Sequence, residues 1–183
     1  MNDKLFTLPK KLLEKHRTRD PFALADLLGY SVRFLDTRVQ KGLCANILNN
    51  YFIFINQNMS REMQRMTCAH ELGHVLLHKD RLGKDERGRS RRFVEMELFD
   101  ITDETEYEAN LFAANLLIDD DALLELLRSG QDIVSAASSL GVNVNLLAIK
   151  LAEMKKAGLP LNDLPLSPDR KFMGYIADNA GSL

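Results

Sequence analysis

His70-Glu71-Leu72-Gly73-His74 is the stretch of this sequence with the most evident chemistry. Two histidines four residues apart on an α-helix project from one face, one turn apart, where both imidazoles can grip a single ion. Glu71 is one residue from His70 and three from His74, so its carboxylate flanks such an ion and can act as general base, taking a proton from a water the ion activates. Zinc suits this work because it brings the pKa of a water to about 7, within reach of an ordinary carboxylate base at neutral pH. The H-E-x-x-H pattern arises by chance in roughly one chain of this length in a few hundred. Its helical context adds weight, because two histidines on an apolar stripe of a buried helix need other hydrogen-bond partners if no metal binds.

A catalytic zinc takes three protein ligands and keeps one position open. The third ligand is sought in Glu106-Tyr107-Glu108-Ala109-Asn110-Leu111-Phe112-Ala113. Glu106 and Asn110 share a helical face with Ala113 and Leu117, so Glu106 could complete the set while Asn110 hydrogen-bonds a ligand histidine from behind. Asp103-x-x-Glu106 also matches a helix-capping pattern, and spacing alone leaves metal ligand and cap equally open. Glu108 is the rival ligand, but it points roughly opposite Glu106, toward Leu111, Phe112 and Asn115, and Glu106 is preferred. His78 continues the four-residue series but lies two turns from His70, too far for all three histidines to meet one ion. It reads as a support behind a ligand or as a plain amphipathic position. Cys68 lies on a different face from His70, and nothing ties Cys44 to the site. No residue is assigned to transition-state stabilisation, for which Tyr107 and His16 are the candidates.

These residues need a scaffold. From Ser60, a good N-cap, to about His78 the only Gly or Pro is Gly73, which predicts a helix of some five turns with apolar residues on more than one side, hence largely buried. Upstream, Lys10 to His16 and Pro21 to Leu28 read as short helices, the second with Asp20 as N-cap, Pro21 at its first position and Gly29 as its stop. Tyr30 to Leu35, Leu43 to Leu48 and Tyr51 to Ile55 read as strands of a small antiparallel sheet, the last two joined by Asn49-Asn50. Lys79 to Arg92 is dominated by charge and Gly and reads as a solvated, mobile loop. Asp103 to Leu117, Asp119 to Arg128, Asp132 to Leu140 and Asn145 to Ala157 read as helices punctuated by Gly130, Gly141 and Gly158. Beyond Leu159, three prolines argue for an extended tail.

The fold expected is α+β and mostly helical, with a sheet of about three strands packed on the H-E-x-x-H helix. Residues 1–118 would form the core, 119–158 a helix-turn-helix-like segment of the same domain, and 159–183 the tail. A chain of 183 residues, 45% hydrophobic, can bury one sizeable core. Its 24 Lys plus Arg against 26 Asp plus Glu give a net charge of −2, with no global attraction to nucleic acid or membrane. The N-terminus lacks the 7–15-residue apolar core of a secretory signal, and no stretch reaches the ~20 apolar residues of a membrane span, so a soluble, cytoplasmic protein is expected. Two cysteines are too few for a disulfide framework and read as buried thiols.

The Asp20-Pro21-Phe22 helix, the sheet ending Phe54-Ile55-Asn56, Thr67-Cys68-Ala69-His70-Glu71-Leu72-Gly73-His74 with Leu77-His78, and Glu106 to Ala114 together resemble the ImmA/IrrE family of bacterial and phage metallopeptidases. The likeness runs from about residue 10 to residue 158. The resemblance implies one zinc on His70, His74 and Glu106, with Glu71 as catalytic base, and so resolves the alternatives for Glu106 in favour of the metal. It also implies a narrow-specificity regulatory endopeptidase whose partner is a helix-turn-helix repressor, cleaved to release genes of mobile elements or stress responses. Two departures stand out: Leu116-Leu117-Ile118-Asp119 lacks the Met and Pro often found there in the family, and the basic loop from Lys79 to Arg92 is not equated with a family feature, reading as a solvated connection or, alternatively, as an electrostatic dock for an acidic partner surface. A competing reading makes residues 132–157 a binding module. Its second helix offers Lys150, Lys155 and Lys156 but also Glu153, and no Arg suited to reading guanine edges. Another makes the chain a toxin-like partner with structural zinc that binds a repressor without cutting it. The intact Glu71 argues against that, since a structural site needs no base.

Overall fold

A computed structural model of the protein describes residues 4–82, 92–95 and 104–158. These fall into two compact units that divide between Leu117 and Ile118. The first opens with helix α1, Lys4–His16, which runs through Pro9 and starts a turn and a half before the expected Lys10. A proline inside a helix forfeits a hydrogen bond. Here Leu5, Pro9 and Leu12 recur at i, i+4 and i+7 and are all buried, so packing on a later helix of this unit overrides the local penalty. Helix α2, Pro21–Leu27, begins where Asp20 Oδ1 accepts the Phe22 N–H at 3.0 Å and is followed by Gly29 at φ 77°.

Strands β1, Ser31–Leu35, β2, Gly42–Ile47, β3, Asn50–Asn56, and β4, Arg92–Glu95, form one sheet in the order β1-β3-β2-β4. The sheet is mixed where an antiparallel one of about three strands was expected. β1 runs parallel to β3, and β4 adds an antiparallel partner to β2. Leu48 and Asn49 turn the β2–β3 hairpin at φ 52° and 63°, one residue before the expected pair. The reason is register: Gly42 faces Ile55 and Cys44 faces Ile53, and all four are buried. A one-residue slip would turn that set to solvent, so exposed Leu48 accepts the left-handed conformation at a cost of about 1–2 kcal/mol.

The buried face of β2 and β3 covers helix α3, Arg61–Leu77, whose first turn is capped by Ser60 Oγ accepting the Met63 N–H at 3.3 Å. Every residue from Met66 to Val75 is buried. Lys79–Leu82 is a short 3-10 turn with Leu82 fully buried, and Arg92 begins β4, so the expected solvated loop is ordered at both ends; residues 83–91 lie outside the described residues. Helix α4, Glu104–Leu117, lies along α3 and also packs on α1. Arg19, between the first two helices, donates to Leu116 O at 3.0 Å, placing a cation on the free carbonyls at the end of α4.

The second unit holds α5, Asp120–Arg128, α6, Ile133–Ser139, and α7, Val144–Lys156, capped by Asp119, Asp132 and Asn143. Gly130, Gly141 and Gly158 take positive φ after them. α6 and α7 meet at 110°, within the range of a helix-turn-helix. Lys150 is nevertheless buried and paired with Asp120, and Lys156 is paired with Glu153 at 2.7 Å, so two of the three α7 cations are already engaged. Among the described residues no single helix is long and apolar enough to cross a membrane. The expected extended tail, 159–183, lies outside the described residues.

Candidate metal centre

The site depends on how closely α3 and α4 approach. A Cβ at Gly73 would sit 3.1 Å from both Cα and O of Ala109 and 3.2 Å from Phe112 Cδ1. With hydrogen at Gly73 and small buried residues at Ala109, Ala113 and Ala114, the two backbones come nearly into contact. That contact carries Glu106, one turn before Asn110 on α4, to the two histidines of α3.

His70 Nε2 and His74 Nε2 lie 3.0 Å apart, and Glu106 reaches them with Oε2 3.2 Å from His70 and Oε1 3.3 Å from His74. Both histidines are buried and Glu106 is 21% exposed, so the cluster is closed on the helix side and open to solvent past the carboxylate. On the far edge of the His70 ring, Nδ1 donates to Asn110 Oδ1 at 2.8 Å. A neutral imidazole with its proton on Nδ1 carries a lone pair on Nε2, aimed into the cluster. Electron-pair donors that converge at such distances repel one another unless a proton or a cation lies among them, and a set of two imidazoles and a carboxylate is what a divalent transition metal takes. The three could hold a metal ion.

Burial lowers the His74 pKa to about 4, outweighing the opposing hydrogen bond that a protonated ring would donate to Glu106, so this ring is neutral at pH 7 and ready as a ligand. For Glu106 burial pushes upward, but the two histidine rings beside its oxygens outweigh that and hold the carboxyl well below its usual range. Cys68 is pushed the other way: burial first, then the carboxylates of Asp20 and Glu71, keep the thiol protonated and unsuited to ligation.

Glu71 projects from α3 about 100° round the axis from His70 and is fully buried. Its carboxylate lies over strand β2, where a Cβ on Gly42 would come within 2.6 Å of Glu71 Oε1 and 2.5 Å of Thr67 Cγ2. Gly42 thus leaves the space that the Glu71 carboxylate fills, a role that spacing along α3 gave no hint of.

Behind the cluster, His78 Nδ1 lies 3.1 Å from His74 Nδ1, and His78 Nε2 lies 2.9 Å from Glu108 Oε2. Helical geometry alone placed Glu108 away from the site. It stands at the edge of the close α3–α4 contact, from which a long carboxylate side chain reaches the end of α3. Tyr107 follows Glu106 on α4 and is half-buried, while His16 ends α1 outside the cluster. The capping partner considered for Glu106, Asp103, lies outside the described residues.

Residues 25–152 match the family model described as the IrrE N-terminal-like domain, a peptidase family. An uncharacterized immunity region protein 2 of Bacillus phage phi105 is 29% identical over 148 residues, covering 80% of this chain and 89% of the phage protein. Metallopeptidase ImmA of Bacillus subtilis is 28% identical over 120 residues, covering 64% of this chain and 65% of that protein.

Proposed function

Because the chain belongs to the peptidase family of the IrrE N-terminal-like domain, we propose that it is a zinc endopeptidase of narrow specificity that cleaves a helix-turn-helix transcriptional repressor in the cytoplasm. In this reading His70, His74 and Glu106 hold one zinc ion, and Glu71 is the general base. The observation that carries it is the convergence of two imidazole nitrogens and a carboxylate within 3.0–3.3 Å of one another, beside a fully buried glutamate. Zinc bound there supplies Lewis-acid chemistry, making water nucleophilic at neutral pH and polarising a peptide carbonyl. Glu71 accepts the proton of the attacking water and returns it to the departing amine. Asn110 holds the His70 ring in orientation, and the exposed side of Glu106 leaves an approach for an extended peptide. A phage immunity region protein among the relatives supports a regulatory substrate, and a named metallopeptidase supports the reaction.

The test is to purify the protein with zinc and incubate it with the helix-turn-helix repressors encoded nearest its gene. Mass spectrometry should find one of them cut at a single bond, and a chelator should stop the cut until zinc is restored. Intact repressors throughout, with zinc bound at one per chain and repressor captured without cleavage, would favour the non-catalytic partner reading.

Gly42→Ala offers a finer check on the base. Its methyl group would overlap Glu71 Oε1 and must displace it. A shift of about 1 Å in a catalytic group costs on the order of 10²-fold in rate, so kcat should fall that far while zinc per chain, read by mass spectrometry, stays unchanged. An unaltered kcat would show that the carboxylate has room to spare and that Gly42 has no part in placing it.

A further inference from the structure

His74 has a feature its partner His70 lacks. Its far nitrogen, Nδ1, faces not a fixed amide oxygen but another histidine, which itself lies against a carboxylate. The geometry points to a directional chain, His74 to His78 to Glu108, that holds the His74 ring in the tautomer a metal requires; this rests on the metal reading of the site. Glu108 Oε2, 2.9 Å from His78 Nε2, can only accept when ionised, so His78 donates from Nε2. With its ring hydrogen directed at Glu108, His78 is left to accept at Nδ1. The nitrogen facing it at 3.1 Å is His74 Nδ1, which must therefore carry the hydrogen. With its proton committed there, His74 turns a bare Nε2 toward His70 Nε2 and Glu106. The opposite tautomer would place a hydrogen on Nε2, hydrogen-bonded to Glu106 and blocking the metal position. Glu108 at the far end of the chain thus selects which of the two states the free protein occupies, and His78 and Glu108 act as positioning residues through His74.

This gives the four-residue series His70, His74, His78 a division of labour. The first two address the ion, and the third orients the second. It also gives the two carboxylates of α4 different tasks, Glu106 at the cluster and Glu108 behind it. A histidine ligand whose other nitrogen is held by a hydrogen-bonded partner is a more basic and better oriented donor, and loss of such a partner weakens metal binding by ~10–100-fold.

The test begins with nitrogen-15 NMR of the histidine rings in the metal-free protein at neutral pH. It should find His74 protonated on Nδ1 and His78 on Nε2; His74 protonated on Nε2 would overturn the chain outright. Zinc affinity, measured by competition with a chromophoric chelator, should drop ~10–100-fold in His78→Leu, which keeps bulk but offers no acceptor. His78→Asn can present an amide oxygen near the former Nδ1, so it should restore most of the affinity and the Nδ1–H form of His74. Equal loss in both variants would reduce His78 to a packing residue and overturn the proposal. Should His78→Leu fail to fold, Glu108→Leu, which removes the acceptor altogether, serves in its place, and an unchanged His74 tautomer there would sink the directional role of Glu108. A wild-type protein with the expected tautomers that binds no zinc would refute the metal reading while leaving the hydrogen-bonded chain intact.

Discussion

Glu71→Gln is expected to lower peptide-bond cleavage by at least about 10²- to 10⁴-fold, the range contributed by a positioned general base, while zinc remains at one per chain. The substitution is nearly isosteric, so the amide fits the space that Gly42 leaves over the side chain. What is lost is the ability to accept a proton. Two measurements on one preparation separate the effects: metal by mass spectrometry, and fragment formation from the repressor proposed as substrate. Retained cleavage would place the base on another residue. Loss of both zinc and cleavage would mean that Glu71 supports the ligand geometry rather than the proton transfer.

The second large effect concerns the two acidic residues of α4. Glu106→Gln should weaken zinc binding by more than the ~10–100-fold that follows loss of an outer hydrogen-bond partner, whereas Glu108→Gln should stay within that range. The physical difference is charge at the ion. Glu106 reaches Nε2 of both His70 and His74, whose rings hold its carboxyl well below the usual range, and an amide in its place brings a weaker oxygen and no negative charge. Glu108 meets only the edge of His78, one ring removed from the cluster. Chelator competition on the two variants ranks them directly, and the reverse order would transfer the third-ligand role to Glu108.

Much of the scaffold was legible because its signals are local. Asp20 before Pro21, Ser60 before the long helix, and the glycine stops at 29, 130, 141 and 158 each act within one turn of where they stand. The α+β class followed from them. Features set by distant partners were not legible. The parallel pairing of β1 with β3 and the strand at Arg92–Glu95, inside a charged stretch, exist only because another strand offers its edge. The hairpin turn moved by one residue for the same reason, since burial opposite Ile53 and Ile55 outweighed the preference of Asn for left-handed backbone.

The site divides along the same line. The four-residue spacings within α3 and within α4 put candidate donors on one face of each helix, and those faces could be named from the sequence. That the faces meet depends on Gly73 against Ala109, a contact between residues far apart in the chain. Gly42 under Glu71 and Glu108 on His78 were missed because neither shares an element with the residue it serves. A glycine opening a strand beside a buried helix, and a third histidine at four-residue spacing, are the traces that could have prompted the search.

The narrow seam at Gly73 has a consequence beyond placing ligands. An ion held by donors from both helices would work as a crosslink between two stretches of chain that must otherwise find each other by packing alone, much as a disulfide restricts the unfolded ensemble. Its binding energy would then count toward folding as well as toward chemistry. Free zinc in the surroundings would in that case act as a rheostat on the protein's lifetime: a cell short of the ion would hold fewer surviving molecules, and not merely idle ones.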